Sequence, residues 1–148
     1  TIVEGLDGNI KTVGVFVKET EEEIKELMKF CKLDFAQVYT ARSGPDWISA
    51  YRVNDCIPDV TSDGLVLFDS YSSGFGGSGI SFDINLLKNH AALGRAFVAG
   101  GVNVENVDSI MMLKPFGVDC VSSVEKYKGK KDLTKMSYLV NKIRSYEI

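Results

Sequence analysis

Short apolar runs alternate with amphipathic stretches along this chain. Residues 12–17, TVGVFV, are β-branched and apolar at nearly every position, which predicts a strand buried on both faces. The stretch TEEEIKELMKFC that follows spaces Ile24, Leu27, Met28 and Cys31 at i, i+3, i+4 and i+7. It opens with Thr20 and Glu23, the pairing of a capping box, and it predicts a helix. The strand signature returns in FAQVY (35–39), SAYRV (49–53), GLVLFD (64–69), RAFVA (95–99) and GVDCV (117–121). Helical patterns follow the last three, at about 84–94, 104–113 and 133–146. The last of them carries Leu133, Met136, Leu139, Val140 and Ile143 on one side, with Asp132 as its N-cap.

Strands that alternate with helices require right-handed crossovers and a parallel sheet covered by helices, so the fold class is α/β. A doubly wound open sheet and a (β/α)8 barrel both satisfy that pattern. Periodicity does not choose between them. The 148 residues, 45% hydrophobic with a quarter charged, are enough for one core and a single domain over 1–148.

The formal charge of −3 argues against duplex DNA or an anionic membrane as a partner, since each needs a surplus of Lys and Arg. Lys126, Lys128, Lys130 and Lys131 form the one basic cluster, read as a solvated loop face. Cys31, Cys56 and Cys120 are odd in number and widely spaced, with only His90 to help them, so neither a disulfide framework nor a metal site is expected. Without a signal peptide or a long apolar run, the expected compartment is the cytoplasm.

The chemistry of either α/β architecture lies at the strand ends. After LVLFD comes SYSSGFGGSGISFD, whose Gly74, Gly76, Gly77 and Gly79 make it a loop rather than a short βα turn. Gly100 and Gly101 fall between a strand and a helix N-terminus, where unpaired N–H groups favour an anion such as phosphate. Ser122 and Ser123 close the next strand with hydroxyls and backbone donors. Donors at the ends of the last two strands are what the phosphate site of a (β/α)8 barrel requires.

The blocks GVFV, FAQVY, LVLFDS, GFGGSGISFD, VAGGVNVENV and GVDCVSSVEKYKGKKD, in this order, resemble phosphoribosylanthranilate isomerase, the (β/α)8 barrel of tryptophan biosynthesis. The resemblance covers nearly the whole chain and is most specific in its second half, where Ile84 replaces the family's Trp and Lys128 its Pro. It implies a TIM-type barrel rather than an open sheet. It also implies an Amadori rearrangement of N-(5'-phosphoribosyl)anthranilate to 1-(2-carboxyphenylamino)-1-deoxyribulose 5-phosphate, a small-molecule substrate, no cofactor, and a monomer or homodimer. Asp69 matches the family's general acid, which must stay protonated near neutral pH in an apolar or anionic setting. Gly100, Gly101, Ser122 and Ser123 match the phosphate-binding region. Gly76, Gly77, Ser78 and Gly79 match the loop beside the site.

The departures carry equal weight. The family's general base is a cysteine in a Cys-Gly pair on the first strand, and its anthranilate-binding arginine follows the second strand. This sequence opens on Thr1 at what resembles the third, so an incomplete barrel of units 3 to 8 is expected. Isolated from the base, residues 1–148 are expected to be inactive. Cys120 reads as a core thiol rather than a substitute base, and Tyr39 stands where many members have His. The stretch from Thr40 to Asp63 is short for two helices around a strand. An alternative is a non-catalytic sugar-phosphate-binding module that kept the glycine turns and lost the base. Another phosphate-binding barrel, an epimerase or aldolase, would need a metal cluster or a Schiff-base lysine at a strand end, and the sequence offers neither, with His90 assigned to a helix.

Overall fold

The computed structural model describes residues 3–6, 9–70 and 82–146. Six strands, β1 (Val13–Phe16), β2 (Phe35–Val38), β3 (Trp47–Val53), β4 (Leu65–Ser70), β5 (Ala96–Val98) and β6 (Gly117–Val118), hydrogen-bond in chain order. The β1/β2, β2/β3 and β5/β6 pairs are parallel. A doubly wound sheet reverses its order at a switch point. This one does not, and its sequential order is that of a (β/α)8-type barrel. The described residues form two compact units, one of residues 1–50 with 60–66 and one of residues 51–59 with 67–148.

In the first unit, β1 leads into α1 (Glu21–Cys31) through a complete capping box: Thr20 Oγ1 accepts from Glu23 N, and Glu23 Oε2 accepts from Thr20 N at 2.8 Å. Lys32, at φ 56°, ends the helix. Ile24 then packs with Phe16, Ala36, Val38 and Trp47. Only one face of β1 joins that cluster. Val13 and Val15 are 43% and 59% exposed, contrary to the doubly buried strand expected, because the described residues do not cover the face of β1 that carries them. The strand's entry is pinned by Asp34, whose carboxylate accepts from Lys11 Nζ, Thr12 N and Thr12 Oγ1. Those donors, Lys11 first, hold its pKa down at about 2. No helix intervenes between β2 and β3 or between β3 and β4, in keeping with the shortness of 40–63.

The second unit holds the ends of β4, β5 and β6, and there the expected helices are cut down. Residues 84–94 form two 3-10 turns, Ile84–Leu87 and Leu93–Arg95, instead of a helix. Asn89 at φ 64° breaks the run, and His90 lies between the turns with its Nδ1 accepting from Ala92 N. The apolar spacing was still informative, since Leu87, Ala92 and Leu93 are buried. The helix expected over 104–113 shrinks to α2 (Val107–Met111). β6 ends at Val118, which leaves Cys120 beyond the strand.

The basic cluster is a hairpin rather than a loop: β7 (Glu125–Tyr127) pairs antiparallel with β8 (Lys130–Lys131), and all four lysines are exposed. The last helix, α3 (Leu133–Arg144), forms where expected, with Asp132 accepting from Thr134 N and Lys135 N. Of its apolar side only Leu139 is buried, while Leu133 and Val140 are 78% and 42% exposed. Among the described residues no helix is long and apolar enough to cross a membrane.

Candidate functional site

Every described site residue belongs to the second unit. Asp69 is the penultimate residue of β4, following the buried Leu67 and Phe68. Two ladder bonds fix its level: Ala99 N donates to Phe68 O and Asp119 N donates to Val98 O, both at 2.8 Å. With β5 between β4 and β6, these bonds set Asp69 and Asp119 level on second-neighbour strands, about 10 Å apart along the sheet. Burial raises the Asp69 pKa, and the Asp119 carboxylate raises it further. The Ser70 backbone N–H and the Arg52 guanidinium oppose that rise. Asp119 is itself raised by burial, with Lys131 opposing. Both carboxyls are thus shifted towards the protonated form, Asp69 by burial and by the charge of Asp119, and Asp119 by burial.

The backbone after β5 turns at Gly100 and Gly101, with φ of 80° and 84°, where L side chains are strained. At Gly100 space is also missing, because a Cβ there would lie 2.6 Å from Ser70 N. Thus the residue after Asp69 and the first residue of the glycine turn are in contact. Beyond them, Asn103 and Asn106 fold the loop on itself. Both side-chain amides donate to Gly101 O, Asn106 Oδ1 accepts from Asn103 N, and Asn103 Oδ1 accepts from the N–H groups of Glu105 and Asn106. The donors expected to face an anion at a helix N-terminus are therefore partly taken by Asn103. The short α2 starts only at Val107.

Ser122 and Ser123 open a 3-10 turn, Ser122–Val124. Ser123 Oγ is buried without a hydrogen-bond partner, and such a group is costly to leave unmet. A cavity of about 390 Å³ is lined by Gly101, Ser122 and Ser123 together with Asn103, Val104, Glu105 and Lys135. Gly100 is not part of it. It lines a separate cavity of about 210 Å³ with Asp83, Asn106 and Ser109, so the four residues expected to hold one phosphate divide between two cavities. Gly76, Gly77, Ser78 and Gly79 lie outside the described residues.

Cys120 is partly buried, and burial and Asp119 push its thiol pKa up, which favours the inert form. Among the described residues no group of three His, Cys, Asp or Glu side chains could hold a metal ion. Asp119 and Lys135 escaped the reading of the sequence. Asp119 had a visible signal, a carboxyl closing an apolar run, but Lys135 resembles any surface lysine until the turn and α3 bring it to the cavity.

A family model described as N-(5'-phosphoribosyl)anthranilate (PRA) isomerase matches residues 4–142. An N-(5'-phosphoribosyl)anthranilate isomerase of Aquifex aeolicus is 36% identical, over 97% of this chain and 78% of its own length. The crystal structure of phosphoribosyl anthranilate isomerase from Thermus thermophilus superposes with a TM-score of 0.80 at 27% identity, covering 97% of this chain and 77% of that one. The same fold, at TM-score 0.69 and 23% identity, appears in an isomerase crystallised with reduced 1-(o-carboxyphenylamino)-1-deoxyribulose 5-phosphate, over 99% of this chain and 76% of that one. The chain belongs to the N-(5'-phosphoribosyl)anthranilate isomerase family.

Proposed function

We propose that this chain carries the general acid and the phosphate cradle of an isomerase that converts N-(5'-phosphoribosyl)anthranilate to 1-(2-carboxyphenylamino)-1-deoxyribulose 5-phosphate in tryptophan biosynthesis. The observation that carries the reading is Asp69, a strand-end carboxyl whose pKa is raised by burial and by Asp119, at the edge where the glycine turn begins. In this reading the Asp69 proton goes to the ribose ring oxygen as the C1'–O bond breaks, leaving a protonated imine between C1' and the anthranilate nitrogen. A base then removes the C2' proton, and the resulting enol tautomerises to the ketone. The phosphate rests in the cavity that Gly101, Ser122 and Ser123 line. Gly100 contributes by shaping the turn against Ser70.

The base is the family's first-strand cysteine, which has no counterpart in residues 1–148, and Cys120 is held as a thiol. A polypeptide confined to these residues is therefore expected to bind the reduced product analogue without turning substrate over. The working compartment in this reading is the cytoplasm, and the active form is a monomer or homodimer.

The test is Asp69→Asn in the full gene product. Turnover should fall about 10²- to 10⁴-fold, the usual range for a lost general acid, while calorimetry shows the reduced product analogue still bound. Undiminished turnover would remove Asp69 from the mechanism. The rival, a binding module without catalysis, predicts that the unmutated gene product has no activity to lose.

A further inference from the structure

The Ser122–Val124 turn is held at both ends by ammonium groups. Lys131 Nζ donates to Val121 O at 2.7 Å and to Glu125 Oε1 at 3.2 Å, so a carboxylate offsets its charge. Lys135, in the first turn of α3, donates from Nζ to Glu125 O at 2.8 Å, and its charge has no such partner among the described ion pairs. A carbonyl uses one of its three donors and holds the head group in place, leaving two directed elsewhere. Lys135 also lines the cavity of Gly101, Ser122 and Ser123, as does Glu105, of opposite sign.

We propose that Lys135 is the cationic phosphate contact of this cavity, and that Lys135 and Glu105 together set how strongly it holds a phosphate dianion. The proposal rests on the phosphate reading above and adds a charge to a cradle otherwise built of hydroxyls and backbone. Two observations of the molecule converge on it: an anchored ammonium with spare donors, and a cavity large enough for a phosphate group that Lys135 lines together with Gly101, Ser122 and Ser123. An ammonium with donors to spare interacts with a phosphate through charge and hydrogen bonding at once.

Inorganic phosphate is the probe, with binding followed by 31P NMR line broadening at low salt and circular dichroism as the folding control. The unsubstituted chain should bind it, and Lys135→Met should weaken binding about five- to tenfold, a charge-assisted bond discounted for its exposed position. Lys135→Arg should retain most of the affinity. Glu105→Gln should tighten binding, and added salt should weaken the unsubstituted chain more than Lys135→Met. Equal affinity in Lys135→Met and the unsubstituted chain would overturn this inference and leave the phosphate cradle standing. A lack of phosphate binding by the unsubstituted chain would overturn the cradle itself.

Discussion

At the scale of single residues, Asp69, the proposed general acid, carries a carboxyl that burial makes harder to ionise. Its folded-state pKa lies above the unfolded value, so the folded chain binds this proton more tightly than the unfolded one. The associated stability is fully present below the unfolded carboxylate pKa of about 4, and it is lost as pH rises through the raised folded value. Asp69→Asn should therefore melt higher than the unsubstituted chain at pH 7, with the gap closing in thermal scans taken below about pH 4. A variant no more stable at neutral pH would mean that solvent reaches this carboxylate freely. Asp34 has the opposite sign. Its contribution holds above the unfolded pKa and disappears as pH falls through about 2. In the sequence Asp69 is followed by a glycine-rich loop and Asp34 is not, but the sign of neither shift is written there. Lys11 and Thr12 lower one, whereas burial and then a second carboxyl two strands away raise the other.

Among the elements, strands were read more faithfully than helices. Each β-branched run became a strand within a few residues, because a buried parallel strand needs apolar side chains on both faces and few other segments have them. α1 and α3 also formed as read, each with its side-chain cap. The run 84–94 failed as a helix because apolar spacing reports burial, and two 3-10 turns bury Leu87 and Leu93 as well as a helix would. Asn89 and Gly94, both weak helix formers, were the warning. For α3, whose apolar side is largely uncovered, the cap matters more than packing. Asp132→Ala should cost about 1 kcal/mol in chemical denaturation, and Asp132→Asn distinctly less. An unchanged midpoint in Asp132→Ala would show that α3 is not part of the cooperative unit.

For the molecule as a whole, periodicity gives an α/β class without choosing an architecture, and the resemblance of the motifs points to the barrel and its chemistry, whereas the division of the glycines and serines between two cavities is not legible in the sequence. Gly100 and Gly101 are neighbours in sequence and share a sign of φ, yet they line different cavities. The chain also exposes large apolar side chains, among them Phe30 at 83%, Val15 at 59% and Leu133 at 78%. Contiguous exposed apolar surface drives association. A polypeptide of residues 1–148 should bind an apolar fluorescent dye while folded, and its sedimentation coefficient should rise with concentration. Replacing Phe30 and Leu133 with Ser should reduce both signals. A monodisperse, dye-silent chain would show that these side chains do not drive association.

The side-chain amides of Asn103 and Asn106 both close on the Gly101 carbonyl. The turn is thus shaped by the chain's own side chains, and in the proposed function a phosphate would not have to meet the entropic cost of ordering it.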